Sequence, residues 1–265
     1  MRSAVLLFSA IALCAQDARE IVRKSVETDQ ISWQHAKDYA WIRRVETHVL
    51  GSKPRNSSRT FESIVLYGRP FSRLVAIDDK PLSTDEQKKQ KARLEKISAE
   101  RAHESPARKA ELEKNRERQR AFTREIPDIY DFKLEGQDVV DGHEAWVISA
   151  VPKRGYKPRG KDAWPLLKFR GKLWIDKVEY QWVRLEAEVI EPLTWGLFLV
   201  KLNPGSSIRL EQTRVNDEIW VPKHQTVRMA GRLVFKHVEM EQEVTFRDYR
   251  KFQADSKVVG TWDVK

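Results

Sequence analysis

Apolar and charged positions alternate along most of the chain, in short runs separated by turn residues. Between residues 181 and 189, for example, charged side chains alternate with Val183, Leu185, Ala187 and Val189. A strand of this kind has one buried and one solvent-facing side. Similar runs occur at 39–50, 59–67, 71–77, 132–136, 144–151, 169–176, 207–215, 220–222, 225–234 and 238–246. Their number and spacing predict a mainly β fold with one large antiparallel sheet, either a sandwich or a curled barrel.

Two segments depart from this alternation, and the first is residues 17–39. Ala18, Ile21, Val22 and Val26 recur at helical spacing there, so one side of a helix can pack on a core. We therefore expect an N-terminal helix that covers the apolar concave side of the sheet.

The second segment, residues 83–124, consists almost entirely of charged residues, Gln and Ala. Ser83 and Glu86 have the spacing of a capping box, and Pro106 suits the first turn of a second helix. The segment therefore predicts a charged helical insertion. Its apolar anchors are sparse: Leu94, Ile97, Leu112 and Phe122. Such helices are not deeply buried, so the insertion is either a lid, hairpin or docking arm, or a passive solvated excursion.

The N-terminus has the pattern of a secretory signal peptide. Arg2 precedes an apolar run over residues 4–13, and small residues follow at a possible cleavage point near residue 15. The run is shorter than the roughly 20 residues that a membrane-spanning helix needs. We expect residues 1–15 to be removed and residues 16–265 to form a single β domain in the periplasm, either free or associated with the outer membrane. Lipidation of Cys14 is the alternative, which the bulky Leu13 before it disfavours.

The charge and the chemistry-bearing residues narrow the function. A formal net charge of +10 indicates either an anionic partner or a solvated surface of mixed sign. Export makes nucleic acid an improbable partner, so an anionic membrane surface or a protein partner of the 83–124 helices is the better expectation. The six histidines are scattered, and no phosphate loop or nucleophile elbow occurs. We therefore expect no enzyme activity, no cofactor and no metal.

The strand-and-turn patterns of residues 173–189, 140–148 and 216–222 together resemble those of a known family, the outer-membrane lipoprotein-sorting proteins with the LolA-like fold of the periplasmic lipoprotein carrier and its receptor. Residues 173–189 combine Leu-Trp-Ile-Asp, a short turn and Val-Arg-Leu-Glu. Residues 140–148 supply the preceding strand after an Asp-Gly turn, and residues 216–222 are similar to the returning hairpin. The resemblance covers 128–252 well and 17–77 loosely, whereas the helical insertion departs from the family pattern.

The resemblance implies an incomplete barrel whose helices cover an apolar cavity for acyl chains. It implies an exported envelope protein that binds an acyl chain or a lipidated protein non-covalently. The alternative is a protein-interaction or sensor module on the same fold without lipid transport. Candidate cavity residues, each of which could instead be ordinary core, are Trp41, Phe61, Leu66, Trp146, Trp174, Trp182 and Phe246.

Two further segments are candidates for contact with a surface or a lipid headgroup. The basic, Pro- and Gly-rich loop 152–165 offers Lys153, Arg154, Tyr156, Lys157, Arg159 and Trp164. The apolar run 192–200 contains Trp195 and Phe198, and is either a buried strand or an exposed element at a lipid surface or cavity mouth. Each segment could equally be an unspecialised loop or strand.

Overall fold

A computed structural model describes residues 5–51, 54–195, 200–234 and 236–251. Thirteen strands form one sheet in which every pairing is antiparallel. They are β1 (Tyr39–Val49), β2 (Arg55–Leu66), β3 (Arg69–Ile77), β4 (Lys80–Pro81), β5 (Tyr130–Val140), β6 (His143–Pro152), β7 (Phe169–Asp176), β8 (Trp182–Val189), β9 (Leu193–Trp195), β10 (Val200–Leu202), β11 (Ser207–Val215), β12 (Ile219–Leu233) and β13 (Lys236–Lys251).

The sheet does not close into a barrel. The strand order is β4-β3-β2-β1-β13-β12-β11-β8-β7-β6-β5, with β10 pairing to β12 and to β9 beside this path. The terminal strands β4 and β5 do not pair with each other. The predicted fold class, a large antiparallel sheet forming an incomplete barrel with helices attached, is confirmed.

Within the described ranges, four helices accompany the sheet: α1 (Val5–His35), α2 (Thr84–Ala102), α3 (Pro106–Arg120) and α4 (Ile126–Ile129). Helix α1 is continuous from residue 5, so the part of the predicted signal peptide that is described, residues 5–15, belongs to the same helix. Short 3-10 helices lie at Ala36–Asp38, Ala121–Glu125 and Lys161–Lys168. Among the described residues, no helix has the length and hydropathy required to cross a bilayer.

Helix α1 packs on one side of the sheet, here called the inner face. Ala18 and Val22 are fully buried and Val26 nearly so, as the helical spacing predicts. They share a hydrophobic cluster with Ile148 and Ile175 from the sheet. Burying one such side chain contributes about 1.5–3 kcal/mol, so this contact fixes α1 against β5–β8.

The strand register separates two buried tryptophans. Trp182 lies opposite Ile175, in the cluster beneath α1. Trp174 lies opposite Arg184 and belongs to a second cluster with Val183. Since neighbouring residues of a strand point to opposite faces, Trp182 is on the inner face and Trp174 on the outer face.

The outer face also carries much of the chain's charge as a lattice of opposite signs. Glu186 lies between Lys172 and Arg209 in register, and Arg170 pairs with Glu188 at 2.8 Å. Cross-strand pairs of opposite charge stabilise a sheet modestly. On this part of the surface the opposite charges therefore pair with one another, and no electrostatic field of one sign results.

The charged insertion is held to the sheet by polar contacts. The Arg101 guanidinium donates to the carbonyl oxygens of Leu66 and Arg69 at 2.9 Å and of Pro70 at 3.2 Å. Arg69 also pairs with Glu104 at 2.5 Å. No residue of α2 is buried, in agreement with its sparse apolar anchors.

The end of β7 offers a stability test, because Asp176 organises the turn to β8. Its carboxylate is 3% exposed and accepts the backbone N–H groups of Val178 and Glu179 at 2.8 and 2.6 Å. Asp176→Ala leaves these donors without their partner, which costs about 1–3 kcal/mol. Urea denaturation measures the loss. Asp131→Ala, at an exposed strand position, is the control, and equal losses in both variants would contradict this role.

Candidate functional site

A cavity of about 530 Å³ lies between the inner face and the segments that follow α3 and β6. Most of its lining residues are aliphatic or aromatic, and the others are Arg120, Arg170, Thr123 and Gly171. The lining residues are Arg120, Phe122, Thr123, Ile126, Tyr130, Ala150, Leu166, Phe169, Arg170, Gly171, Leu173, Trp182, Leu185, Ala187 and Ile208.

A row of small residues makes room for the cavity on the sheet. Ala150 of β6 lies opposite Gly171 of β7, which lies opposite Ala187 of β8. The next strand supplies Ile208 opposite Ala187. Because three adjacent strands carry at most a methyl group at this level, the inner face is indented between the row of Leu173 and Leu185 and the row of Phe169 and Val189.

The covering side comes from two 3-10 helices and α4, with Tyr130 joining them to the sheet. The Tyr130 hydroxyl donates to the carbonyl oxygen of Leu166 at 2.6 Å. Burial raises the pKa of Tyr130 above its usual range, so the hydroxyl stays protonated and keeps donating. This hydrogen bond ties the Lys161–Lys168 helix to β5 and fixes Leu166 over the cavity.

One wall is the indole of Trp182. Its Nε1 donates to the Ser25 hydroxyl at 2.6 Å, and that hydroxyl donates to the carbonyl oxygen of Val22 at 2.8 Å. Both polar groups are thereby satisfied inside the core, as buried polar groups require. Trp182 can then present the apolar surface of its ring to the cavity without leaving its N–H group unbonded.

The cavity has a charged end where α3 stops. Arg120 forms an ion pair with Asp29 of α1, whose side chain is 9% exposed. Burial raises the pKa of Asp29 and outweighs the opposing effect of Arg120 and of the Gln212 and Gln181 side chains. The Arg120 Nε is buried and finds no hydrogen-bond acceptor among the described residues. The cavity thus combines an apolar body with the Arg120–Asp29 ion pair at one end.

This arrangement has the shape and lining of a binding site for an apolar molecule. Among the described residues, no group of three or more His, Cys, Asp or Glu side chains could hold a metal ion. An apolar cavity of this size falls within the range of ligand sites in proteins, about 300–1,000 Å³. What such a cavity can do is remove an apolar molecule from water.

No protein-family model matches the chain, and no curated protein matches it. Solved structures do resemble it. One is a DUF1329 family protein from Desulfovibrio piger, with 12% identity and a TM-score of 0.36 over 92% of this chain and 95% of that one. Another is a putative outer membrane lipoprotein-sorting protein domain from Vibrio parahaemolyticus, with 12% identity and a TM-score of 0.33 over 89% and 95%.

A third is a LolA superfamily protein from Nitrosomonas europaea, with 11% identity and a TM-score of 0.32 over 89% of this chain and 93% of that one. The resemblance predicted from the sequence, to LolA-like lipoprotein-sorting proteins, is confirmed by these neighbours. At such identities and TM-scores nothing follows about a ligand or a partner.

The predicted cavity residues are spread over several places. Trp182 lines the cavity. Trp146 is half-buried beside the same cluster, with its ring 5.3 Å from that of Tyr180. Trp174 lies on the outer face, where its Nε1 donates to Asp138 at 3.0 Å.

The other four lie on the far half of the sheet. Trp41 belongs to a separate cluster, where the centroid of its ring is 6.0 Å from that of Tyr249. Leu66 is buried at the end of β2. Phe61 lies beneath the Arg43 guanidinium at 4.9 Å, and Phe246 pairs with Arg43 in register. These four do not line the 530 Å³ cavity.

The predicted surface residues are placed in part. Trp164 is 52% exposed. Lys153 donates to the carbonyl oxygen of Asp128 at 2.9 Å, and Arg159 pairs with the Asp128 carboxylate at 2.5 Å. Arg154 and Lys157 are exposed and Tyr156 is half-buried. The backbone of Trp195 belongs to β9, whereas Phe198 lies outside the described residues.

Sequence reasoning missed the features that shape the cavity. Ala150, Gly171 and Ala187 stand on three different strands, and only the register aligns them. Arg120 lies inside a run of charges that looks uniformly solvated in the sequence. The signal that could have revealed the indentation is the occurrence of small residues at inward positions of consecutive strands.

Proposed function

We propose that this is an exported envelope protein, a single domain from about residue 16, that binds an acyl chain non-covalently, either free or on a lipoprotein. The observation that carries the proposal is the apolar cavity of about 530 Å³ between the inner face of the sheet and the segments that follow α3 and β6. The signal-peptide pattern of residues 1–15 supports a location in the periplasm, either free or at the outer membrane. The function needs no catalytic group.

The energetics suit an acyl chain. Each buried methylene contributes about 0.8 kcal/mol, so ten of them contribute about 8 kcal/mol. Loss of translational and rotational freedom opposes this by about 4 kcal/mol or more. The balance favours reversible binding without any specific polar contact, which is what a carrier or sensor of acyl chains requires.

Brominated fatty acid tests this proposal, because bromine quenches tryptophan fluorescence at short range. Delipidated protein is titrated with the probe, and quenching is compared in Trp182→Phe and Trp174→Phe. Trp182 lines the cavity, whereas Trp174 is equally buried on the outer face. We expect Trp182→Phe to lose most of the saturable quenching and Trp174→Phe to retain it. Absence of saturable quenching in the wild type, or equal loss in both variants, contradicts the proposal.

The second candidate is a protein-interaction or sensor module on the same fold, with no lipid transport. The observation that favours it is the exposure of α2, in which no residue is buried. Such a module would dock a partner through residues 84–120. Protein isolated from its natural host and examined by native mass spectrometry separates the two. A bound ligand with the mass of an acyl chain supports the carrier. The module is supported by a co-isolated protein that no longer binds when charges along α2 are reversed, provided that no acyl chain is found.

A further inference from the structure

Half of the excess positive charge of the chain lies in one short stretch, residues 152–168, here called the basic segment. It contains six Lys and Arg residues and one acidic residue, Asp162. The whole chain has a formal net charge of +10, so these seventeen residues account for half of it. The lattice on the outer face, by contrast, alternates in sign. The basic segment is therefore the place where a local field of one sign is expected.

The basic segment is fixed to the protein rather than held only at its ends. The Glu125 carboxylate accepts the backbone N–H groups of Arg159 and Gly160, both at 2.9 Å. The Lys153 ammonium donates to the carbonyl oxygen of Asp128, and the Tyr130 hydroxyl holds Leu166. The charges are thus presented in a set arrangement, which lowers the entropic cost of binding a surface.

Some of these cations are neutralised and others are free. Arg159 pairs with Asp128, and Lys168 pairs with Glu191. Arg154, Lys157 and Lys161 are exposed, and within the described part of the chain they form no ion pair. Three cations on one segment therefore remain available for an external anion.

An exposed aromatic side chain lies among these cations. Trp164 is 52% exposed on the Lys161–Lys168 helix. It borders a depression of about 550 Å³ that Lys161, Pro165 and Lys168 also line, together with Phe122, Asp162, Leu193 and Thr194. Phe122 lines the 530 Å³ cavity as well, so the depression and the cavity are neighbours.

We propose that the basic segment docks the protein on an anionic phospholipid bilayer, with Trp164 at the membrane interface and Arg154, Lys157 and Lys161 over the headgroups. Tryptophan prefers the interface between hydrocarbon and water, and clustered cations are attracted to anionic lipid. An acidic protein would use the cations but has no need of an exposed indole beside them. Docking brings the depression, which neighbours the cavity, against the membrane. The proposal does not depend on whether the cavity holds an acyl chain.

Co-sedimentation with vesicles tests this proposal. Phosphatidylcholine vesicles with and without phosphatidylglycerol are compared, using the triple variant Arg154→Glu, Lys157→Glu, Lys161→Glu. Each lost cation weakens binding severalfold, so we expect affinity for the anionic vesicles to fall by about a hundredfold or more. The matched control is Lys89→Glu, Lys96→Glu, Lys114→Glu, which makes the same change in net charge on α2 and α3. The control should stay within a few-fold of the wild type.

Trp164→Ala supplies an independent readout. The wild type should show a blue shift of tryptophan emission on anionic vesicles, and the variant should lose this shift and part of the affinity. Failure of the wild type to bind anionic vesicles, or equal losses in the two triple variants, overturns the proposal. If the wild type binds polyglutamate but not vesicles, and the first triple variant no longer binds polyglutamate, the membrane proposal is overturned in favour of an acidic protein partner. Circular dichroism confirms that these exposed substitutions leave the fold intact.

Discussion

Replacing Asp29 with Ala is expected to destabilise the protein by about 3 kcal/mol, because it leaves a partly buried guanidinium without its partner. Arg120 is 28% exposed and Asp29 9%, so neither group can regain full hydration by a small movement. The Arg120 Nε already has no acceptor among the described residues. Removing the carboxylate would leave the charge facing the Trp33 ring, 5.0 Å away. Urea denaturation gives the change in unfolding free energy.

The reciprocal variant separates the pair from the individual residues. In Arg120→Met the buried carboxylate remains, and the double variant with Asp29→Ala removes both charges. We expect the double variant to be more stable than Asp29→Ala alone, with a coupling energy above about 1 kcal/mol. Asp128→Ala is the control, since its ion pairs with Arg19 and Arg159 are more exposed and contribute about 1 kcal/mol or less. Additive losses in the cycle would show that the pair is not coupled.

The stability of the wild type and of Arg120→Met, which both keep Asp29, should depend on pH in a defined direction. Burial raises the pKa of Asp29 above 3.8, so the folded state holds this proton more tightly than the unfolded state. The contribution of the protonated group to stability is therefore present at low pH and lost as pH rises through the raised pKa. Arg120→Met removes the positive charge that lowers the pKa of Asp29. The stability of this variant should therefore fall more steeply with pH than that of the wild type over that range.

The strands were predictable because alternation is a local signal. A difference concerns residues 220–222 and 225–234, which read as two runs and form the single strand β12. The register shifts between Glu211 and Gln212, which lie opposite His224 and Pro222. The extra residue, Lys223, forms a bulge that lets the strand continue past Pro222. A proline therefore marked an irregularity in the pairing rather than an end.

The cavity was less predictable, since its shape depends on which face of the sheet is inner. Trp174 and Trp182 stand in equally alternating strands, and only the pairing of β7 with β8 and the position of α1 assign them to opposite faces. Aromatic residues are a poor guide here because both faces carry clusters. The row of Ala150, Gly171 and Ala187 depends on long-range register, and composition alone does not contain it.

Close packing of β10 on β12 provides the second large effect. Gly231 lies opposite Leu202, and a Cβ atom added to it would overlap the carbonyl oxygen of Lys201 and be 3.1 Å from its carbonyl carbon. Both obstacles are backbone atoms, so no side chain can rotate away. Only glycine lets the two strands approach this closely. The β9–β10 pair therefore keeps its position by a contact that any side chain would break.

Gly231→Ala is expected to lower the unfolding free energy by about 3 kcal/mol, at the upper end for overpacking, or to separate β10 from β12. Hydrogen exchange distinguishes these results, since separation would expose the Asn203 amide that now donates to the Ala230 carbonyl oxygen at 2.8 Å. Gly160→Ala is the control, because its nearest obstacle is the Glu125 carboxylate at 3.3 Å, and it should stay within about 1 kcal/mol of the wild type. Equal stability and unchanged exchange in Gly231→Ala would refute the close approach. Since Leu193 and Thr194 border the depression beside Trp164, separation of β10 should also weaken vesicle binding while the three free cations stay in place.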